Sequence, residues 1–358
     1  MIPAVLMKNL NMMLVCTVSL LIAGTAASPV YAEQSGDNTA EIGYYVRAIL
    51  PENQMDQSVS YFDLRTTPGQ IQKLWIEVVN ESERELVIDM ETVSASTNRN
   101  GIIDYKTLGI KDKTLKIPFS DIAAPEKDVI TVWPGDTIKT AVIINAPEES
   151  YDGVILGGIV FTGRDADGEA ETDGMMIKNR YSYVIGVKLS DNDTPVQPEF
   201  ELDEIEARTV NHYPAVVHQI RNKNAAIAKH INLKIIVTDE AGNIVADIAK
   251  SAVSMAPNSV MPFAVTLTGI ENSRFPGELP AGNYTSEIFL EYEGEEITFR
   301  EAYTIGSVQT DILNAAVPEA QFQEKQENPW IIAIFASIIT FLLMSLLFLW
   351  LGGRDKKR

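Results

Sequence analysis

Apolar and polar residues alternate along most of the chain. Residues 70–79 and 85–94 both follow this pattern, and the turn cluster Asn80-Glu81-Ser82 separates them. A period of two, enrichment in β-branched residues and frequent turn clusters are typical of strands in a sandwich. The pattern therefore predicts an all-β fold.

An acidic, proline-containing segment interrupts the alternation at residues 191–198. Its sequence is Asp191-Asn192-Asp193-Thr194-Pro195-Val196-Gln197-Pro198, and such a composition stops strands and is typical of a linker. After it the pattern predicts about seven short strands, the number found in an immunoglobulin-like sandwich. We predict two tandem immunoglobulin-like β-sandwich domains, at residues 33–198 and 199–306, that fold independently.

Apolar segments lie at both ends of the chain. Residues 1–32 have the basic, apolar and cleavage-site order of a secretory signal, with cleavage predicted after Ala32; an uncleaved anchor is the alternative. Residues 330–351 carry no charge and precede a basic cluster. This predicts one C-terminal transmembrane helix at residues 329–351, a stalk at residues 307–328 and a cytoplasmic tail at residues 352–358. The predicted location is the cell membrane, with both domains outside.

Cysteine content and net charge narrow the class of protein. Cys16 is the only cysteine and lies in the predicted signal, so the domains must fold without disulfides. The formal net charge of −20 excludes nucleic acid as a partner, because phosphates would be repelled. A net negative charge of this size is compatible with a basic protein partner, with a bound cation, or with a role in solubility alone.

Candidate catalytic and metal-binding residues do not form a recognisable set. His212, His218 and His230 are too far apart for a metal motif, and no cysteine nucleophile remains after signal removal. The acidic loop at residues 165–173 resembles a calcium loop but has glycine at its fourth position, not its sixth. We therefore predict no enzyme activity, no cofactor and no metal. The alternatives are a cell-wall glycan hydrolase or a calcium-dependent adhesin.

Several short stretches predict local features. Pro68-Gly69-Gln70 predicts a type II turn, and Gly157-Gly158 predicts a bulge or a place where another backbone or a glycan approaches closely. Trp75 lies among apolar strand residues and is predicted to be in the core. Trp133 precedes Pro134-Gly135 at a strand end, where we expect it to be exposed and able to stack on a ligand.

Longer blocks resemble a known family. The blocks Leu50–Gln54, Tyr61–Leu64, Pro68–Gln70, Thr97–Tyr105 and Tyr151–Ile159 resemble the N-terminal domain of the WxL-interacting proteins of Gram-positive bacteria. The stretches Met255–Ser259 and Pro280–Tyr284 resemble the second domain of that family, although the expected tryptophan is missing near residues 300–303.

The resemblance implies a non-catalytic binding and scaffold protein of the cell surface. Its implied partners are secreted WxL-domain proteins, peptidoglycan through the first domain, and host or partner proteins through the second. Asparagine and glutamine amides hydrogen-bond well to glycans. The candidate binding residues, which are amides or aromatic side chains in or near these blocks, are Asn53, Gln54, Asn98, Asn100, Tyr105 and Trp133.

Overall fold

The structure of the chain is a computed structural model. It describes residues 43–105, 111–164, 181–268 and 278–315, with the single positions 317, 337, 340 and 344. The predicted signal at residues 1–32, the acidic loop at residues 165–173 and the tail at residues 352–358 lie outside the described residues.

Two sheets form a first sandwich. Sheet 1 has the strand order β1 (Tyr44–Ile49), β3 (Ile71–Asn80), β9 (Thr137–Asn145) and β7 (Ala123–Pro125). Sheet 2 has the order β2 (Phe62–Arg65), β11 (Ser182–Ser190), β10 (Ile155–Gly163), β4 (Leu86–Ser94) and β8 (Val129–Val132). A short helix, α1 (Phe119–Ile122), and a two-stranded hairpin, β5 (Ser96–Thr97) and β6 (Ile103–Asp104), accompany these sheets.

The core of the first sandwich lies between the inner faces of its sheets. In sheet 1 the alternate residues Leu74, Ile76 and Val78 have no exposed surface, as the period of two requires. Sheet 2 buries its alternate residues Ile159 and Phe161 just as fully. The hydroxyl of Thr140 in β9 contacts the sulfur of Met90 in β4 at 3.5 Å, which joins the two faces.

Two further sheets form a second sandwich. Sheet 3 has the order β12 (Phe200–Val210), β13 (Tyr213–Asn222) and β16 (Ser259–Val265). Sheet 4 has the order β15 (Ile244–Met255), β14 (Ala228–Asp239), β17 (Gly282–Tyr292) and β18 (Glu295–Ile305). Each of the strands that the alternation predicts in residues 199–306 is present. Their shared core includes Phe200, Ile220, Ile231, Leu233, Ile235, Met261, Phe263, Ile288 and Leu290.

A helix follows the last strand of sheet 4. This helix, α2 (Ser307–Ala315), occupies the first part of the predicted stalk and packs against the second sandwich. The side chain of Leu313 packs on the core, and Thr310 is buried. The amide of Asn314 donates a hydrogen bond of 2.9 Å to the carbonyl of Leu279 and accepts one of 3.1 Å from its N–H. These contacts hold α2 in place.

The fold-class prediction requires one correction. The all-β part stands, but none of the helices within the described residues is long and apolar enough to cross a membrane. The predicted transmembrane helix is therefore not found. Of the residues on which it was predicted, only Ser337, Thr340 and Met344 are described, each in helical conformation, and the rest lie outside the described residues.

Candidate functional site

Asn53 and Gln54 lie in the loop between β1 and β2 and hold that loop together. The amide of Asn53 donates to the carbonyl of Arg65 at 2.8 Å and exchanges hydrogen bonds with the amide of Gln72. The side chain of Gln54 is only 7% exposed. Its amide nitrogen donates hydrogen bonds to the backbone carbonyls of Asp56 and Tyr61 in the loop. Its side-chain oxygen accepts a hydrogen bond from the N–H of Asp63. Both amides are thus engaged inside the protein.

Asn98 and Asn100 lie in the turn of the β5–β6 hairpin. The side-chain oxygen of Asn98 accepts from the backbone N–H groups of Asn100 and Ile102, as an Asx turn does. Gly101 closes the turn with φ of 64°, a conformation that favours glycine. Asn100 is exposed, and its side chain is available at the turn.

This turn is part of a junction between the two sandwiches. The carbonyl of Gly101 accepts a 2.8 Å hydrogen bond from the N–H of Ser254 in β15. The hydroxyl oxygen of Thr97 lies 2.6 Å from the hydroxyl oxygen of Ser259. It also accepts a 2.9 Å hydrogen bond from the N–H of Ala256. A Cβ atom at Gly101 would lie 2.8 Å from Val253, so only glycine permits this approach.

The Tyr151–Ile159 block contributes the other side of the junction. The N–H of Val154 donates to the carbonyl of Ala225 at 2.8 Å. Gly153 has φ of 82°, and a Cβ atom there would lie 2.2 Å from that same carbonyl oxygen. Two of the sequence blocks that resemble the family therefore position the second sandwich against the first.

A buried guanidinium completes the junction. Arg221 of β13 pairs with three carboxylates, those of Asp112, Glu201 and Asp203. Hydrogen bonds from Arg221, and secondarily from Lys113, hold the pKa of Asp203 well below its usual range. The same carboxylates raise the pKa of Arg221 against the opposing effect of burial. Arg221 therefore remains charged and links the sandwiches electrostatically.

Tyr105 follows β6 and covers the outer face of sheet 2. A Cβ atom at Gly158 would lie 2.8 Å from the ring of Tyr105, so the ring rests directly on the strand. Burial raises the pKa of the Tyr105 hydroxyl. On the inner face, a Cβ atom at Gly157 would lie 2.1 Å from the ring of Phe119 in α1.

The glycine pair explains a difference from the sequence prediction. The pairing of β10 with β11 and β4 runs without a register shift through Gly157 and Gly158, so the predicted bulge is absent. The groups that approach the pair closely are aromatic side chains and not the other backbone that the alternative prediction named. Aromatic rings of Phe119 and Tyr105 occupy the space on opposite faces of one strand.

Trp133 projects from a tight turn at the end of β8. Its carbonyl accepts a 3.0 Å hydrogen bond from the N–H of Asp136, and Gly135 has φ of 72°, as a type II turn requires. The indole is 60% exposed. The carbonyl of Asp136 in this turn accepts from the N–H of Asn80, which places the turn at the end of β3.

The six predicted binding residues are not brought together. Asn53 contacts Gln72 at the start of β3, whereas the turn of Trp133 contacts Asn80 at its end. The eight-residue separation along an extended strand corresponds to about 26 Å. The Asn98 turn lies at the junction, and Tyr105 lies on sheet 2. No single site contains all of them.

An exposed tryptophan that sequence reasoning assigned to the core lies on the outer face of sheet 1. Trp75 is 42% exposed, because Leu74, Ile76 and Val78 occupy the inner face and leave the alternate positions outside. Directly opposite in the register is Ala141, which has no exposed surface. The alternation around Trp75 was the signal that could have identified it.

Charged side chains surround the indole of Trp75. The ammonium of Lys73 lies 5.8 Å from the ring centroid, within cation–π range, and pairs with Glu126 at 2.8 Å. Further along the strand, Glu77 pairs with Arg47 of β1 and approaches Lys139 at 3.8 Å. Hydrogen bonding to Arg47 lowers the pKa of Glu77, so the carboxylate is ionised at neutral pH. The exposed indole of Trp75 and the charged side chains of Lys73, Arg47 and Glu77 beside it are called the Trp75 face.

Of the three histidines, His212 and His230 are exposed and His218 is buried. His218 is fully buried in the second sandwich, where its Nε2 lies 2.8 Å from the hydroxyl of Ser286, and Ser286 contacts Tyr303 at 3.1 Å. Burial lowers the pKa of His218 to about 4, so the ring is neutral. Within the described residues, no group of three or more histidine, cysteine or acidic side chains is arranged to hold a metal ion.

Two family models match consecutive parts of the chain. The model of the WxL Interacting Protein, peptidoglycan binding domain, matches residues 44–163, and that of the WxL Interacting Protein, host binding domain, matches residues 172–315. The chain belongs to the WxL-interacting protein family. This assignment gives residues 44–163 the class of a peptidoglycan-binding domain and residues 172–315, which include β11, that of a host-binding domain.

Comparison with solved structures finds similar chains whose sequence identity to this chain is low. No curated protein matches the chain in sequence. The Escherichia coli chaperone DraB is 12% identical, with 72% of this chain and 96% of that chain covered and a TM-score of 0.29. The Pseudomonas aeruginosa CupB2 chaperone is 11% identical, with coverages of 66% and 95% and a TM-score of 0.28. A PapD-like domain of human CEP192 is 7% identical, with coverages of 47% and 99% and a TM-score of 0.28.

Proposed function

We propose that this WxL-interacting protein binds peptidoglycan through the Trp75 face of its first sandwich and acts as a non-catalytic scaffold at the cell surface. The observation that carries the proposal is the exposed indole of Trp75 on the outer face of β3, with charged side chains next to it.

The chemistry of the Trp75 face suits a glycan strand. A pyranose ring presents C–H groups on its flat sides, and these pack on an aromatic ring that offers a large apolar surface. Hydroxyl, acetamido and carboxyl groups at the sugar edges can hydrogen-bond to Lys73, Arg47 and Glu77, which lie on the same face. A repeating polymer can gain avidity from several such weak contacts.

Protein partners form the second part of the proposal. The family assignment supports WxL-domain proteins as partners and host proteins as ligands of the second sandwich. The signal that the sequence predicts at residues 1–32 supports a location outside the cell. The domain boundary near residue 198 and a binding role for Asn53, Gln54, Asn98, Asn100, Tyr105 and Trp133 remain proposals.

Sedimentation with insoluble peptidoglycan tests the proposal. The purified full chain should sediment with the polymer, and the supernatant should contain no released muropeptides. Release of soluble fragments would favour the alternative of a glycan hydrolase. If the unmodified chain stayed in the supernatant, the proposed wall-binding function would be wrong.

A further inference from the structure

Strand β18 is an edge of sheet 4 in the second sandwich. It pairs with β17 along its whole length, from Glu295 to Ile305, without a register shift. On its other side it pairs with no strand among the residues that the structure describes. With 11 residues it is about twice as long as a typical strand.

The turn before β18 fixes which of its backbone groups face outwards. Glu293 and Gly294 have φ of 52° and 84°, as a two-residue type I′ hairpin requires. The pair that flanks such a turn, Tyr292 and Glu295, exchanges both of its backbone hydrogen bonds. From Glu296 onwards, every second residue therefore points its N–H and C=O away from β17. These residues, which span about 27 Å, are Glu296, Thr298, Arg300, Ala302 and Thr304.

Other edges of the second sandwich are covered, but this one is not. At β12 the side-chain amide of Gln309 in α2 donates a 2.8 Å hydrogen bond to the carbonyl of Ala207. At β15 the N–H of Ser254 bonds to the carbonyl of Gly101. Within the described residues, no such bond reaches the outward backbone groups of β18. The strand also contains neither proline nor a bulge, two features that protect edges.

Free carboxylates line β18. Its one cation, Arg300, already pairs with Glu287 of β17 at 3.5 Å. Glu296 stands directly opposite Glu291 in the register, and like charges in such a pair repel. Positive charge from outside the sheet would relieve this repulsion. The exposed carboxylates that make no ion pair or side-chain hydrogen bond within the described residues are those of Glu295, Glu296 and Glu301.

We infer that β18 binds an extended, basic segment of a partner protein as an added antiparallel strand. The outward N–H and C=O groups supply the ladder that such a strand needs. Apolar side chains of the segment would extend the half-buried row that contains Ile297, Phe299 and Tyr303. Lysine or arginine side chains would lie opposite Glu296 and Glu301, as charge complementarity requires.

Charge also distinguishes this partner from other possible occupants. A second copy of the chain would bring its own three glutamates to the edge, and its Arg300 is already paired. The chain's own residues 318–328 contain three glutamates and one lysine, so they too would be repelled. The inference rests on the part of the proposed function that assigns protein ligands to the second sandwich. It is separate from glycan binding at the Trp75 face.

A synthetic peptide matched to the edge tests the inference. The probe is the fluorescein-labelled nonapeptide Thr-Val-Thr-Lys-Thr-Val-Thr-Val-Lys. Aligned antiparallel from Thr304 to Glu296, it places its two lysines opposite Glu301 and Glu296 and its valines opposite the half-buried row. With the purified full chain, fluorescence anisotropy should show saturable binding with a Kd below about 1 mM.

Two N-methylated forms of the peptide separate strand pairing from charge attraction. Methyl groups on the backbone nitrogens of the third, fifth and seventh residues remove N–H groups that would face β18, and binding should weaken at least about tenfold. Methyl groups on the second, sixth and eighth residues remove N–H groups that would face away, and binding should change less than about twofold. Both forms carry the same charge and the same number of methyl groups.

Two variants and a control locate the binding on the chain. Ala302→Pro removes an outward N–H, which proline can do at an edge, and should abolish peptide binding; a thermal melt checks that the variant is folded. Glu301→Lys should weaken binding about fivefold or more. Glu83→Lys makes the same charge change at an exposed position of the first sandwich and should have little effect.

The outcomes separate this inference from the proposed function. Peptidoglycan sedimentation of Ala302→Pro and Glu301→Lys should equal that of the unmodified chain. The inference would be overturned by no peptide binding at about 1 mM, by equal binding of the two N-methylated forms, or by full binding to a folded Ala302→Pro variant. Sedimentation velocity that showed a dimer of the chain, dissociated by Ala302→Pro, would assign the edge to a second copy and overturn it as well. None of these results would affect glycan binding at the Trp75 face.

Discussion

Nε of Arg221, in the second sandwich, donates a 2.8 Å hydrogen bond to Oδ2 of Asp112, which belongs to the first. Their side chains are 3% and 2% exposed, so this ion pair is almost completely removed from water. They lie 109 positions apart in sequence, so the contact is a tertiary link and not a local one. Glu201 and Asp203 complete the coordination of the guanidinium from β12.

Removing the carboxylate of Asp112 should destabilise the chain. Asp112→Asn keeps the volume but leaves Arg221 with one fewer anion in a buried position, and we expect a loss of about 2–4 kcal/mol in the free energy of unfolding. The control is Asp121→Asn, which breaks an exposed pair with Lys111 and should change stability by less than about 1 kcal/mol. Urea denaturation measures both. Equal stability of the two variants would contradict the structural role of the Arg221–Asp112 pair.

The two sandwiches should stabilise each other. Fragments 33–198 and 199–315, the second extended past residue 306 to keep α2, are each expected to fold, but separation exposes Arg221, Thr97 and Ser259, which bond across the junction. Each fragment should therefore melt at a lower temperature than it does in the intact chain. Calorimetry of the fragments and the full chain tests this, and identical melting temperatures would show that the junction contributes nothing to stability.

Gly157 should not tolerate even a methyl group. Gly157→Ala places a Cβ atom 2.1 Å from the ring of Phe119, which is fully buried and cannot move freely. Overpacking of this kind typically costs about 1–3 kcal/mol. The matched control is Gly306→Ala, where a Cβ atom would meet no atom within 4 Å. Thermal melts should show a lower Tm for Gly157→Ala only; a shared Tm would mean that the Phe119 contact is not tight.

His218 should make stability depend on pH in the mildly acidic range. Because burial lowers its pKa to about 4 in the folded state, from the ordinary value of 6.5, the unfolded chain binds more protons between these values. The free energy of unfolding is therefore highest above about pH 6.5, where His218 is neutral in both states. It decreases as the pH falls towards 4, because the unfolded chain takes up the proton first. A shift of this size corresponds to about 3 kcal/mol.

A pair of histidine variants isolates this effect. His218→Gln should flatten the decline of the free energy of unfolding between about pH 6.5 and 4, because its neutral amide does not titrate. His212→Asn changes an exposed histidine and should leave the decline unchanged. Urea denaturation at several pH values gives the comparison. If the free energy of unfolding of His218→Gln fell with pH as steeply as that of the unmodified chain, groups other than His218 would be the cause.

The sequence predicted the strands and turns of this fold better than it predicted which residues are exposed and which contact the other sandwich. Alternation identified β3, β4 and the strands of the second sandwich, and the type II turn at Pro68-Gly69-Gln70 is confirmed by φ of 67° at Gly69 and by the hydrogen bond from Gln70 to Thr67. Such features are local, because they depend on side-chain period and on the backbone freedom of glycine.

Features that depend on distant residues could not be predicted in the same way. Gly153 and Gly101 have positive φ, which is a local feature, but their close contacts with Ala225 and Val253 come from the other sandwich. Trp75 was assigned to the core because it is apolar and lies among apolar residues. Its exposure follows only once the inner face of β3 is assigned to Leu74, Ile76 and Val78.

Sedimentation of a Trp75→Ala variant with insoluble peptidoglycan tests the central claim most directly. The matched control is Trp133→Ala, which removes the other strongly exposed indole of the first sandwich, at the end of β8. Loss of an aromatic stacking platform typically costs about 1–3 kcal/mol, so we predict at least a fivefold weaker retention for Trp75→Ala, with an unchanged Tm. Trp133→Ala should lose less retention than Trp75→Ala, because its indole lies outside the Trp75 face. Full retention of a folded Trp75→Ala variant would contradict the account.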